Sequence, residues 1–232
     1  MRRLAPLPWP ADPLPELDEP RVFVHVLDGP AERGLLTKAE RERADRLVTE
    51  DLQRRWIRAR GGLRQVLGAY SGVAPAALAV KPAACVHCGE PHGKPHLPGA
   101  DWLRFNLSHS GELAVIAVAD GREVGVDIEA TDGGRRLDDI AARFFGPAEA
   151  DEVRRLGDPA FYRLWTRKEA YLKATAEGLA AGLHSVDANE LESRPGWEFA
   201  DLDLGDGYAG AVAVAPPGFR PTAPAGGARR SR

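Results

Sequence analysis

The sequence predicts a soluble protein of mixed helices and strands, and three observations point there. Hydrophobic residues make up 44% and charged residues 28% of 232 residues, the balance of a chain that buries a core. Short segments alternate with period two or run apolar for about six residues, the marks of half-buried and fully buried strands. Longer segments carry apolar residues at helical spacing, with arginine between them.

The elements follow in order. Residues 1–20 are rich in proline and acid and read as an extended N-terminal segment. Residues 21–27 alternate and stop at Asp28-Gly29-Pro30, which predicts a strand. Residues 37–70 predict one long helix, with Leu47, Trp56, Leu63, Val66 and Leu67 on its buried side. A strand is expected near 78–80, then a loop over 85–99. Residues 105–111 lead into the apolar run 113–118; Asp120-Gly121 then predicts a hairpin to a strand over 124–129. Helices are expected over 137–145, 148–156 and 161–175, the last ended by Gly178. Strands over 197–204 and 208–215 follow, and a disordered tail from 216.

Charge and cysteine content exclude several classes. Lys+Arg 31 against Asp+Glu 34 gives a net charge of −3, which argues against general nucleic-acid binding. No apolar run approaches the ~20 residues of a membrane span, and the proline-broken start lacks a secretory apolar stretch. Two cysteines make no disulfide scaffold for this length, so a cytoplasmic setting is expected. Lysine occurs only at positions 38, 81, 94, 168 and 173, so each placement carries information.

Four segments carry chemistry. In Gly125-Val126-Asp127-Ile128-Glu129, Asp127 and Glu129 share one strand face. Their repulsion is explained either by a hard divalent cation or by a solvated edge. In the helix from Trp165 to Lys173, Trp165, Glu169 and Lys173 lie four apart on one face. They read either as a surface ion pair below a packed ring or as an inward site. Asn106-Leu107-Ser108-His109-Ser110-Gly111 offers phosphate-handling groups or merely a satisfied turn. Ser108 and His109 point to opposite strand faces, against a nucleophile–base pair. Gly93-Lys94-Pro95 is no Walker loop but presents a lysine. Beside it, Cys85, Cys88, His92 and His96 form a C-x2-C-x3-H-x3-H pattern, open to zinc or to a turn bearing two thiols.

Taken together, Asn-x-Ser-His-Ser, Gly-x-Asp-x-Glu and Trp-x-x-Lys-Glu-Ala-x-x-Lys, in this order, resemble the 4′-phosphopantetheinyl transferase superfamily. The resemblance is to the larger, monomeric, surfactin-synthetase-activator type. It implies an α+β fold: a pseudo-dimer of two similar α+β halves, residues 21–120 and 121–215, with coenzyme A in the cleft between them and the metal site in the second half. It implies Mg²⁺ held by Asp127, Glu129 and Glu169, with Glu169 and Lys173 catalytic. Arg60, Lys94, Ser108, His109 and Lys173 are implied to meet coenzyme A. The partners implied are coenzyme A and an apo acyl or peptidyl carrier protein, with no nucleic acid and no membrane. Phe144-Phe145-Gly146-Pro147 resembles the carrier-facing region. The alternative is a non-catalytic coenzyme A or carrier-binding protein of the same fold.

Overall fold

The computed structural model describes residues 2–17, 22–131, 137–178 and 182–222. The first strands are short: β1 (Arg2–Leu4), β2 (Leu7–Pro8) and β3 (Val22–Val26). Helix α1 (Lys38–Asp45) starts in a capping box: the Thr37 hydroxyl accepts from the Glu40 amide, and the Glu40 carboxylate accepts from Thr37. Helix α2 (Glu50–Ser71) starts afresh at Thr49, whose hydroxyl accepts from the Leu52 amide, and ends at Gly72 with φ of 71°. The single helix expected over 37–70 is therefore two, because Thr49 caps a new start rather than continuing the old one. Arg64, 2% exposed, rejoins them by donating to the Glu40 carboxylate at 2.8 Å. Leu63, Val66 and Leu67 are buried as expected; Leu47 and Trp56 are only half-buried.

The strand expected at 78–80 lies later, as β4 (Lys81–Pro82), paired with β5 (Pro95–His96). Arg64 takes the Leu78 carbonyl, so that oxygen is not free for a ladder. Strands β6 (Leu103–Ser110) and β7 (Leu113–Asp120) form a hairpin across Gly111, where φ is 55°. Strand β8 (Val124–Ala130) does not pair with β7, which corrects the expected hairpin. Buried Arg122 and Glu123 redirect the chain: Arg122 Nε donates to the Ala215 carbonyl, and the Ala215 amide donates to the Glu123 carbonyl. Both contacts commit β8 to the second sheet.

Helices α3 (Leu137–Phe144), α4 (Pro147–Leu156) and α5 (Asp158–Thr175) follow. Helix α5 stops at Ala176, in the left-handed region at φ of 60°, two residues before the expected Gly178. The chain closes with β9 (Glu198–Leu202) and β10 (Tyr208–Val214). Of the tail expected to be disordered, 216–222 lacks helix or strand and 223–232 lies outside the described residues.

Two four-stranded sheets result, ordered β2-β3-β7-β6 and β1-β9-β10-β8. Each contains a strand, helix, strand, strand unit whose last strand is central and antiparallel to both others. The N-terminal segment adds one parallel edge strand to each sheet, through β1 with β9 and β2 with β3. Val24, Val115, Val126, Ile128 and Val212 fill one apolar layer between the sheets. Leu63, Val66 and Leu67 of α2 cover the other side of the first sheet. Helix α5 lies so close on β8 that a Cβ at Gly125 would stand 2.0 Å from the Ala170 carbonyl. No helix among the described residues is long and apolar enough to cross a membrane.

Candidate active site

Strands β6 and β8 run side by side without a backbone ladder, and side chains of β6 replace it. Asn106 Oδ1 accepts from the Val126 amide, Ser108 Oγ from Ile128 and Ser110 Oγ from Ala130, at 3.0, 3.2 and 3.0 Å. The constant offset of 20 residues means the two strands are parallel. Each serine hydroxyl in turn donates a hydrogen bond to a carboxylate of β8, Ser108 to Asp127 Oδ1 at 3.0 Å and Ser110 to Glu129 Oε2 at 2.9 Å. The alternate polar residues of this motif thus fix both carboxylates of β8. Asn106 and Ser110 were not among the sequence-predicted site residues, although their period of two was the available signal.

Helix α5 supplies the facing groups. Its tight fit over Gly125 places Glu169, 8% exposed, and Lys173 above the acidic face of β8. Lys173 Nζ donates to Asp127 Oδ1 at 2.6 Å, to Ser108 Oγ at 3.2 Å and to the Val126 carbonyl at 3.1 Å. Glu169 is thus turned inward, with Trp165 and Lys173 half-buried on the same helix face.

Burial dominates the electrostatics. It pushes Glu169 up to about 7, helped by the charges of Asp127 and Glu129 and opposed by Lys173. Asp127 is also raised, because its desolvation outweighs the Lys173 ion pair. Asp127 Oδ2 is buried with no partner, an acceptor awaiting a donor or a cation. Among the described residues, the His, Cys, Asp and Glu grouping that closes to within 4.8 Å is Cys85, Cys88 and His92, not the carboxylate trio. The all-oxygen donor set, the orphaned Oδ2 and the mutual repulsion nonetheless fit a hard divalent cation at Asp127, Glu129 and Glu169.

Three adjoining cavities form a groove that reaches this cluster at Glu129; Asp127, Glu169 and Lys173 line none of the three. Arg60, Trp56, Pro95 and His109 line a cavity of about 180 Å³. Trp56 and His109 also line a neighbour of about 300 Å³, which shares Arg55 and Ser110 with a third of about 280 Å³ beside Glu129, Tyr162 and Trp165. Burial, then the charges of Lys173 and Arg60, hold His109 below its ordinary range, so this end of the groove is cationic. Arg60 is seated on the Trp56 ring at 4.8 Å. A larger cavity, of about 430 Å³, is lined by Leu4, Leu7, Phe23 and Phe199 and contains none of these groups. Its size does not make it the site.

Not every expected residue joins the groove. Lys94 is turned to Glu123 Oε2 at 2.6 Å and the Val124 carbonyl at 2.8 Å, lining a separate cavity with His96. Phe145 is core, stacked on Phe161 at 5.3 Å, while Phe144 is half-buried. Lys168, fully buried, ties Glu149 at 2.5 Å to the carbonyls of Leu183 and Val186. That role is structural.

Comparison with known proteins agrees with the family resemblance. A sequence profile of the 4′-phosphopantetheinyl transferase superfamily matches residues 123–212, the segment from β8 through β10. The 4′-phosphopantetheinyl transferase HetI of a Nostoc species is 37% identical over 199 residues, covering 80% of this chain and 81% of that protein. The 4′-phosphopantetheinyl transferase Sfp of Bacillus subtilis is 32% identical over 143 residues, 55% of this chain and 62% of that one. The 4′-phosphopantetheinyl transferase AcpT of Salmonella typhi is 38% identical over 102 residues, 41% and 52% of the two chains. With its α+β sheets, its carboxylates on β8 and α5, and this likeness along most of its length, the chain belongs to the 4′-phosphopantetheinyl transferase superfamily and is an enzyme of that kind.

Proposed function

We propose that this enzyme transfers the 4′-phosphopantetheine arm of coenzyme A to a serine hydroxyl of an apo carrier protein of polyketide, nonribosomal peptide or fatty acid synthesis. The reaction depends on Mg²⁺ and releases 3′,5′-ADP. The observation that carries the reading is buried Glu169, pushed up to about 7 by burial, beside the Asp127–Lys173 pair with Asp127 Oδ2 unpartnered. The chain acts as a monomer of two halves, 21–120 and 121–215, and the shared strand order of the two sheets supports that division.

The chemistry follows from charge. Coenzyme A lies along the groove with its phosphates toward Arg60, His109 and Lys173. Ser108 contributes indirectly, by holding Lys173 and Asp127 in register. Lys94, engaged by Glu123, braces the start of β8 instead of reaching the phosphates. The carrier docks beside α3 and α5, where Ile140, Tyr162 and Trp165 line the far cavity. Its serine oxygen bonds to the β-phosphorus as the bond to the bridging oxygen breaks, and 3′,5′-ADP leaves with that oxygen. Glu169 takes the serine proton, standing beside the Asp127–Lys173 pair on the acidic face of β8. Lys173 offsets charge building on the leaving phosphate. Mg²⁺, held by Asp127, Glu129 and Glu169, supplies further charge neutralisation on the pyrophosphate when bound.

A binding protein without activity would have no use for three repelling carboxylates. The test is turnover of Glu169→Gln and Asp127→Ala with coenzyme A, Mg²⁺ and an apo carrier. Both lose activity by about 10²-fold or more while keeping the wild-type circular dichroism spectrum. Full activity in either variant breaks the site assignment.

A further inference from the structure

Outside the groove, one cluster of ligating side chains converges. The Cys85 and Cys88 sulfurs and a His92 ring nitrogen all lie within 4.8 Å of one another, and Cys88 Sγ stands 3.1 Å from His92 Nε2. A tetrahedral zinc ion, with Zn–S of about 2.3 Å and Zn–N of about 2.0 Å, sets S–S at about 3.8 Å and S–N at about 3.5 Å, inside the 4.8 Å limit and slightly longer than the Cys88–His92 separation. We infer that Cys85, Cys88 and His92 bind one zinc ion, with solvent in the fourth position.

The backbone builds this arrangement before any metal arrives. The Cys85 amide donates to the Glu90 carbonyl, the Gly89 amide to Cys85 and the His92 amide to Glu90, each at 2.8 Å. Gly89, at φ of 81°, makes the reversal. Backbone N–H groups of Cys88 and His87 point at the Cys85 sulfur and favour its thiolate. Below the turn, Ala83 and Lys94 and then Gly93 and Ala83 close the hairpin; a Cβ at Gly93 would meet the Ala84 carbonyl at 2.7 Å. Two thiolates and an imidazole select a borderline-soft ion over Mg²⁺. The chain has no other cysteine to compete for either sulfur.

The other two histidines of this segment have different places. His87 Nε2 is bonded to the Glu177 carbonyl at 2.8 Å, which pins the turn to the chain just beyond α5. His96, the fourth ligand of the sequence pattern, stays on β5 outside the cluster. Lys94 leaves the same hairpin to hold Glu123 and Val124 at the start of β8. The zinc turn therefore braces both elements that carry the carboxylates. It is a positioning device, separate from the transfer chemistry.

The test is metal content of the full-length protein, produced with added zinc and purified under reducing conditions without chelator. One zinc per chain is expected in the wild type and in His96→Ala, with loss to background in Cys88→Ser and His92→Ala. Cobalt substitution of the wild type should show a thiolate charge-transfer band and strong tetrahedral visible bands, a readout that needs no variant to fold. Zinc well below one per chain in the wild type overturns the inference. Retention in Cys88→Ser, loss in His96→Ala, or a Cys85–Cys88 disulfide surviving reducing purification does the same.

Discussion

At Glu169, burial and the charges of Asp127 and Glu129 act together and outweigh Lys173. Its pKa in the folded protein, about 7, stands above its ordinary 4.5, so the folded state keeps a proton that the unfolded chain releases. Metal-free protein should therefore lose stability as pH rises from about 4.5 to 7 and level off above that window. Replacing Glu169 by Gln removes the loss, worth up to about 3 kcal/mol at pH 8 and vanishing near pH 4.5. Thermal melts of the metal-free variant and wild type across this range check it; an equal difference at both ends contradicts it. The face bearing Glu169 was legible in the sequence because the large apolar ring of Trp165, four residues before it, had to turn inward. The commitment of Lys94 to Glu123 was not, since a buried ion pair between positions 29 residues apart leaves no local pattern.

At the scale of elements, the seam between β6 and β8 is the unusual feature. Ser110 Oγ serves the Ala130 amide and the Glu129 carboxylate together. Ser110→Ala should cost about 1–3 kcal/mol in urea unfolding, because it strands one amide and frees one carboxylate. A change below about 0.5 kcal/mol would mean that water replaces the hydroxyl. Gly125→Ala should be worse: its Cβ meets the backbone of α5, which has no side chain to move aside. The expected result is insoluble protein, or a melt lowered by several degrees with activity lost. Lys168→Ala leaves Glu149 charged in the interior and should cost about 3–5 kcal/mol by the same urea assay. The motifs themselves were visible in the sequence. The seam was not, because runs of serine and asparagine also satisfy turns, and only the neighbouring strand distinguishes the two. The departure of β8 from β7 was hidden for a similar reason: Asp120-Gly121 announces a turn, and the partners of Arg122 and Glu123 lie in the last strand.

Across the whole molecule, two sheets with the same internal strand order share one apolar layer and are joined by the seam and by the N-terminal strands. This arrangement puts Arg60 and His109 from the first sheet's side opposite Glu129 and Trp165 from the second, along one groove. The mixed fold was readable from alternation and helical spacing; the joining of the sheets by residues 2–8 was not, since strands of three and two residues have too little pattern. The central claim concerns what the groove does. It is tested most directly by the intact mass of an apo carrier protein incubated with this enzyme, coenzyme A and Mg²⁺, beside a control with EDTA and one with Mg²⁺ restored. A gain of one phosphopantetheine arm, absent with EDTA and recovered with Mg²⁺, is the predicted result. No gain on any of several acyl and peptidyl carriers, or a gain indifferent to EDTA, would contradict it.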